Sequence, residues 1–227
     1  MLRRIALFVL LVSISSVVIA QYDNPKRERS TFGSRDGRFE GSVILAYQTG
    51  VSEASEGGSS LDIDSVMGWG VHFGWNWTAH WNLSYTLVAT KPKYLAVIVP
   101  DNPDELPIPI EQKMSKYSHQ FNVIYNFTEG GFTPFVQAGL GWTKLDSNIL
   151  TGPPQTGCWW DPWWGYICFT DWSTYSTTEF SYNLGLGFRW DINNAFYTKG
   201  TISREFLSLD NGTLNFDMAI LELGLMF

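Results

Sequence analysis

The chain has 227 residues and a formal net charge of -7, and aromatic and charged residues each make up 16% of the sequence. This acidic balance argues against a nucleic-acid partner, because nucleic acids select basic surfaces. After residue 20 no apolar run approaches the ~18 residues of a transmembrane helix. Low charge, 11 tryptophans and no such run together favour a transmembrane β-barrel over an ordinary secreted domain.

Residues 1–20 have the pattern of a secretory signal peptide. Two arginines precede an apolar stretch, and small residues at 18–20 provide a cleavage site. We therefore predict export, with residues 21–37 as a periplasmic N-terminal arm and residues 38–227 as a single β domain. The two cysteines fit an oxidising compartment of this kind.

Eight segments of about ten residues then alternate between apolar and polar positions, as strands do when one face meets lipid and the other a polar interior. In chain order they are 39–48, 67–76, 81–89, 117–127, 136–143, 179–190, 195–206 and a last segment that ends at Phe227. The sixth alternates most clearly, with Phe180, Leu184 and Trp190 on one face and Arg189 on the other. Tilted by about 40°, this segment spans ~26 Å, close to the ~25 Å apolar band of a barrel.

The connections between these segments alternate in length. Three are short turns and four are longer: 77–79, 128–131 and 191–194, then about 51–61, 91–114, 146–175 and 207–213. Lipid offers no hydrogen-bond partner to an exposed strand edge, so the sheet must close on itself. We predict an all-β fold, an eight-stranded antiparallel up-and-down transmembrane β-barrel with both termini on the periplasmic side.

Two of the strands resemble those of a known family. Residues 134–142 (PFVQAGLGW) and 182–188 (YNLGLGF) look like the fifth and sixth strands of small eight-stranded outer-membrane barrels. The resemblance is to the type of the outer-membrane protein A transmembrane domain and of outer-membrane protein W, and it covers about 38–227. It implies a location in the outer membrane of a Gram-negative bacterium. Outer-membrane lipid, lipopolysaccharide and the barrel-assembly machinery are the implied partners.

The end of the chain resembles the C-terminal assembly signal of such barrels. Leu223, Leu225 and Phe227 are alternate apolar residues of the last strand. Leu225 stands where these strands often have an aromatic residue, which is a departure from the family pattern. The resemblance implies that the assembly machinery recognises these three residues.

Several inward positions of the predicted strands carry charges. An isolated charge in a narrow, dry interior is strongly penalised, so opposite charges there are expected to pair. The predicted lumen charge network is Glu40, His72, Glu179, Arg189, Lys199, Glu205 and Glu222. Such a network is either a structural plug of salt bridges or the gate of a narrow channel, and the sequence leaves both alternatives open.

The third long connection contains the least generic segment, CWWDPWWGYIC at residues 158–168. The spacing of Cys158 and Cys168 suits a disulfide-closed hairpin, whereas two thiolates without a nearby His fall short of a zinc site. The surface aromatic cluster of this loop is Trp159, Trp160, Trp163, Trp164 and Tyr166. Exposed apolar clusters usually bind something. Four roles of this cluster remain open. It is a lid on the barrel, an interfacial anchor, a contact for a ligand such as a surface glycan, or an aromatic cluster without a partner.

No recognisable catalytic arrangement is present in the sequence. Its three histidines, His72, His80 and His119, form no Ser/His/acid pattern. We therefore predict a non-catalytic protein without cofactor or metal, with a structural role in envelope integrity or a role in surface contact. The alternative is a narrow porin-like channel for a small or hydrophobic solute, which the resemblance to outer-membrane protein W would allow.

Overall fold

The computed structural model describes residues 35–54, 58–100, 106–152, 155–163, 165–171, 173–209 and 212–227. The predicted signal peptide and most of the predicted arm lie outside the described residues. Among the residues described, no helix is long and apolar enough to cross a membrane.

The described residues form fourteen strands. In chain order these are β1 (Phe39–Gln48), β2 (Val51–Ala54), β3 (Ser60–Ile63), β4 (Val66–Asn76), β5 (Trp81–Thr90), β6 (Lys93–Ile98), β7 (Ile108–Lys113), β8 (Ser115–Asn126), β9 (Phe132–Leu150), β10 (Gln155–Asp161), β11 (Gly165–Asp171), β12 (Thr174–Asp191), β13 (Phe196–Leu209) and β14 (Gly212–Met226).

Eight of these strands close into an antiparallel barrel. Their order around the barrel is β1, β14, β13, β12, β9, β8, β5 and β4. The seam joins the first and last strands, where Glu40 lies opposite Met226. Each barrel strand overlaps one of the eight segments selected by alternation, with ends that differ by a few residues, so the predicted eight-stranded barrel is confirmed.

Alternation along each barrel strand separates a lipid-like exterior from a polar interior. On β12, Phe180 is 54% exposed and the next residue, Ser181, is 0% exposed. Aromatic side chains of neighbouring strands stack on the outside, including Phe39 with Trp75 and Phe132 with Phe188. Exposed apolar and buried polar residues are the reverse of the pattern in a soluble protein.

The two rims of the barrel differ. Short turns join β4 to β5, β8 to β9 and β12 to β13 at one rim, here called the turn rim. The chain end reaches the same rim, because Phe39 and Phe227 exchange two backbone hydrogen bonds of 3.0 and 2.9 Å. The long connections leave the opposite rim, here called the loop rim.

The long connections contain six strands, of which the sequence prediction anticipated only the disulfide-closed hairpin. Strands β2, β3, β6 and β7 form a four-stranded sheet, called the loop sheet, and β10 and β11 form a separate hairpin. The four strands of the loop sheet have four to six residues each, too few for alternation to stand out from loop composition. The prediction of plain loops at these four positions is therefore wrong.

The loop sheet packs on apolar side chains at the loop rim. Ile63 and Tyr94 of the loop sheet form a buried cluster with Leu207, Leu214 and Phe216 of the last two barrel strands. Burial raises the pKa of Tyr94. The loop-rim half of β14 is thus apolar on its inward face, where alternation had led us to expect a polar one.

Candidate functional site

The barrel interior near the turn rim holds five charged or titratable residues, which we call the basal network: Glu40, His72, Arg189, Lys199 and Glu222. All five are buried. They come from five consecutive strands of the barrel wall, β4, β1, β14, β13 and β12. Because their side chains point inward from both sides of the seam, they meet in the middle of the lumen.

Glu40 is the centre of the basal network. Its Oε2 accepts hydrogen bonds from Arg189 Nη1 at 2.7 Å and Asn76 Nδ2 at 3.0 Å. Its Oε1 accepts one from Lys199 Nζ at 2.6 Å and lies 3.1 Å from His72 Nε2. Four partners around one buried carboxylate satisfy its lone pairs, which is the condition for burying a charge without a large penalty.

Glu222 is the second carboxylate of this network. Its Oε2 accepts a hydrogen bond from Ser42 at 2.9 Å and lies 3.8 Å from both Lys199 Nζ and His72 Nδ1. The same His72 nitrogen is 3.3 Å from the hydroxyl of Thr86. The contacts of Glu222 are longer than those of Glu40, so Lys199 depends mainly on Glu40 for charge compensation.

Arg35 and Asp191 extend the network to the turn rim. Arg189 Nε donates to Asp191 at 2.7 Å, and Arg35 lies 3.7 Å from the same carboxylate. Arg35 also donates to the carbonyls of Thr128 and Gly130 at 3.0 and 2.9 Å. Burial lowers the pKa of Arg35, the nearby Arg189 lowers it further, and Asp191 opposes both. Besides His72, three acidic and three basic side chains therefore meet at this end of the lumen.

A second buried ion pair, here called the upper pair, lies toward the loop rim. Lys116 Nζ donates to Glu205 Oε2 at 2.5 Å and to Gln48 Oε1 at 3.2 Å. Glu205 Oε1 accepts from Thr143 at 2.7 Å. The ammonium group lies 4.3 Å from the ring centroid of Phe216, so the upper pair adjoins the apolar cluster beneath the loop sheet.

An amide belt crosses the lumen between the two charged groups. Asn183 Nδ2 donates to Gln120 Oε1 at 3.0 Å and to Asn122 Oδ1 at 2.9 Å. Gly139 makes room for this belt, because a Cβ there would lie 2.1 Å from Asn122 Oδ1. A cavity of about 40 Å³ adjoins the belt, lined by residues that include Glu205 and Glu222. It has room for about three water molecules.

The structure divides the predicted lumen network. Five of the seven predicted residues form the basal network, whereas Glu205 belongs to the upper pair. Glu179 belongs to neither. It is only partly buried and accepts a hydrogen bond from Thr177. Placing Glu179 in a single network was wrong, because alternation predicts which face a residue is on but not its height above the rim.

Three interior charges were missed by the sequence prediction. Lys116 is in phase with the inward residues of β8, and it would have been found had the predicted strand begun earlier. Asp191 was assigned to a turn but is the last, inward-facing residue of β12. Arg35 belongs to no strand, so no periodic signal in the sequence could have identified it.

Strands β10 and β11 form an aromatic hairpin closed by a disulfide between Cys158 and Cys168, so the predicted disulfide is present. Trp160 lies opposite Tyr166, two positions from the cysteine pair and on the same face. Trp160, Trp163 and Tyr166 are 66, 85 and 73% exposed. The side chains of Trp159 and Trp164 lie outside the described residues.

The predicted assembly residues lie on the outside of the seam. Leu223, Leu225 and Phe227 are exposed and face outward. Leu223 and Leu225 belong to β14, which pairs with β1 on one side and β13 on the other, and Phe227 directly follows this strand. The ring of Phe227 stacks on Phe39 of β1 with centroids 6.5 Å apart. Recognition of these residues by the assembly machinery remains a prediction.

Comparison with protein families identifies the group to which this architecture belongs. The family model described as "Outer membrane protein beta-barrel domain" matches residues 9–227. The chain belongs to this family. Its resemblance to small outer-membrane barrels is thereby confirmed, and so is its assignment to an outer-membrane β-barrel family of Gram-negative bacteria. Comparison with curated proteins by sequence gave no match.

Solved structures share the fold at low sequence identity. The outer membrane protein OprG of Pseudomonas aeruginosa is 12% identical, over 86% of this chain and 98% of that one, with a TM-score of 0.56. Neisserial surface protein A is 12% identical over 84% and 96% of the two chains, with a TM-score of 0.51. Ail, the attachment invasion locus protein of Yersinia pestis, is 16% identical over 85% and 99%, with a TM-score of 0.46. For OprG and Neisserial surface protein A, the likeness at these identities is one of fold.

Proposed function

We propose that this protein is a non-conducting, non-catalytic outer-membrane barrel that holds its loop sheet and aromatic hairpin at the cell surface. The loop rim then faces outward and both termini face the periplasm. Turn length supports this orientation, since short turns are periplasmic and long loops extracellular in bacterial barrels.

The observation that carries the proposal is the set of buried ion pairs that span the interior. The basal network fills the lumen at the turn rim, the upper pair crosses it nearer the loop rim, and a cavity of only about 40 Å³ adjoins the amide belt between them. An ion crossing this path would have to displace hydrogen-bonded charges whose separation is strongly unfavourable. The narrow-channel alternative has no comparable support among the described residues.

Conductance across planar bilayers tests the proposal. The wild-type protein should be electrically silent. A quintuple variant, Glu40→Ala, Arg189→Ala, Lys199→Ala, Lys116→Ala and Glu205→Ala, removes the bulk and the charges of both the basal network and the upper pair and should give measurable current. Folding of both proteins is checked first by their gel mobility before and after boiling. Reproducible wild-type conductance that a single Arg189 or Lys199 substitution abolishes would instead establish the channel.

The exposed hairpin supports surface contact as the role of the loop rim. Trp160 and Tyr166 are one cross-strand pair next to the disulfide, and both are largely exposed. Aromatic side chains supply large contact area at low entropy cost. Whole cells expressing Trp160→Ala with Tyr166→Ala should lose binding to immobilised surface glycans. The matched control replaces Tyr175, an exposed aromatic of β12 outside the hairpin, by Ala. Equal binding by all three strains would exclude the hairpin as the contact.

A further inference from the structure

A charged pair, here called the outer pair, lies on the largely apolar outward face of the barrel. Arg204 of β13 is directly opposite Asp217 of β14. The Nε and Nη2 atoms of Arg204 donate to the two carboxylate oxygens of Asp217 at 2.6 and 2.8 Å. This bidentate geometry fixes the guanidinium group in the plane of the carboxylate. The outer pair is therefore an ordered feature of the barrel wall.

The outer pair lies within the apolar band of the barrel. Phe206, the next outward residue toward the loop rim, stacks on Tyr182 of β12 with ring centroids 4.8 Å apart. Arg204 is therefore on the membrane side of this aromatic contact. At the turn-rim end, Phe196 is eight residues earlier in β13. This separation is ~21 Å along the membrane normal for a strand tilted by about 40°, which is less than the ~25 Å height of the band.

The outer pair has hydrogen-bonding capacity that the barrel does not use. A guanidinium group offers more N–H donors, and a carboxylate more acceptor lone pairs, than two hydrogen bonds occupy. Among the described residues, no further partner contacts either side chain. The side chains of Arg204 and Asp217 are 54 and 46% exposed. Because hydrocarbon offers no partner to the unused groups, the exposed half of the pair is unfavourable in lipid alone.

A second copy of the protein fits the outer pair better than a lipid does. Headgroups lie on the far side of the Phe206 aromatic contact, so a partner at the depth of the pair is another protein chain within the band. An anionic group attracted to Arg204 would be repelled by Asp217, and a cationic group would meet the reverse problem. A second outer pair presents both charges at the same spacing, so it is complementary to the first.

The position of the outer pair suits a twofold contact. Two copies inserted in the same direction are related by an axis along the membrane normal, so residues of one height meet residues of the same height. Arg204 and Asp217 lie at nearly the same height, because they are opposite each other on neighbouring strands. With the axis beside the pair, Arg204 of each copy faces Asp217 of the other. Ala219, two positions from Asp217, is small and lets the two walls approach closely.

We propose that the wall formed by β13 and β14 is the interface of a dimer of this protein in the membrane, and that the outer pairs of the two copies form a closed ring of charges at its centre. The outward neighbours of the pair, Ile202, Phe206 and Ala219, surround this ring and exclude lipid from it. Two convex barrels touch over a narrow area, so the dimer is reversible. The interface involves neither the lumen nor the aromatic hairpin, and it holds for either orientation of the barrel.

Sedimentation equilibrium of the full chain in density-matched detergent micelles tests the interface. The wild type should be a dimer at a high ratio of protein to detergent and should dissociate when micelles are added. Arg204→Asp makes both charges of the pair acidic and Asp217→Arg makes both basic, so each variant alone should associate at least about tenfold more weakly. An equimolar mixture of the two variants should dimerise again, because an acidic wall then faces a basic one. An ion pair that acts only within one chain would not give this recovery.

A further variant and a control complete the test, and the folding of each protein is checked by its gel mobility before and after boiling. Replacing both Arg204 and Asp217 by Leu gives a continuous apolar wall that suits lipid and should leave a monomer, even if the charge-reversed variants fail to fold. The matched control, Lys144→Asp, reverses an exposed outward charge of β9, two strands from β13, and should dimerise as the wild type does.

Three results would overturn the dimer interface. The first is a wild type that is monomeric at every dilution, which would leave the outer pair to lipid. The second is a charge-reversed or double-Leu variant that dimerises as the wild type does. The third is a mixture of the two charge-reversed variants that stays monomeric. Conductance and cell binding are measured separately, so the interface and the proposed function can fail independently.

Discussion

Replacing Glu40 by Gln tests whether the basal network stabilises the barrel through its charges. The substitution keeps the shape of the side chain but removes the carboxylate that Arg189 and Lys199 share at 2.7 and 2.6 Å. Arg189 retains Asp191 at 2.7 Å, whereas the one carboxylate that Lys199 retains among the described residues is Glu222 at 3.8 Å. One buried ammonium group is thus left poorly compensated.

The size of the effect follows from this geometry. Removing one partner of a buried ion pair costs about 3 to 5 kcal/mol. Because the introduced amide could still accept one hydrogen bond and Arg189 keeps a second carboxylate, we expect the lower end, about 3 kcal/mol of the free energy of unfolding. Replacing Lys199 by Met in the same chain removes the uncompensated charge and should restore about 1 kcal/mol.

The measurement is urea unfolding in lipid vesicles, followed by tryptophan fluorescence. The matched control is Glu179→Gln, which also removes an inward-pointing carboxylate. That carboxylate is only partly buried and its hydrogen bond to Thr177 lies at an exposed site, so the expected change is about 0.5 kcal/mol or less. If Glu40→Gln destabilises the protein no more than Glu179→Gln does, the assignment of stability to the basal network is refuted.

Two further predictions concern a glycine in the lumen and the disulfide. Gly224→Ala should destabilise the barrel by about 1 to 3 kcal/mol in the same urea assay, because its Cβ would lie 2.3 Å from the ring of Tyr197. Gly200→Ala, which meets no atom within 4 Å, should cause no loss. Replacing Cys158 and Cys168 by Ser removes about 2 to 3 kcal/mol of loop-closure stabilisation. Because the hairpin is a separate sheet, proteolysis within it should accelerate while the urea midpoint of the barrel stays unchanged.

The sequence was sufficient to predict the barrel because its strands obey a strict constraint. Every barrel strand must be apolar toward lipid, so a ten-residue alternation such as that of β12 repeats eight times. The loop strands face no such constraint. β2 has four residues, three of them exposed, and it is held by its pairing with β3 rather than by a pattern of its own. Local periodicity in the sequence does not reveal strands that are held only by their pairing with a neighbour.

The site was predictable only in part, for a related reason. Alternation placed Glu40 and Arg189 inside, and the penalty on buried charges then required them to pair. It did not determine the heights in the lumen at which residues from different strands would meet. Lys116 pairs with Glu205 across 89 positions of the chain, and that proximity follows from the tilt and register of the whole barrel. The face of the strand on which a residue lies follows from local alternation. The height of the residue in the barrel depends on the tilt and register of all the strands.

The basal network lies at the seam, and we infer that it helps to select the register in which the barrel closes. Ser42 of β1 hydrogen-bonds Glu222 of β14 across 180 positions of the chain, so local structure cannot align these strands. A slip of one residue would turn Glu40 toward lipid and leave Arg189 and Lys199 without it. The correct register is therefore the one that neutralises the interior. If this is so, Glu40→Gln should fold into vesicles more slowly than Glu179→Gln. Equal folding rates of the two variants would mean that the basal network stabilises the folded barrel but does not help to select its register.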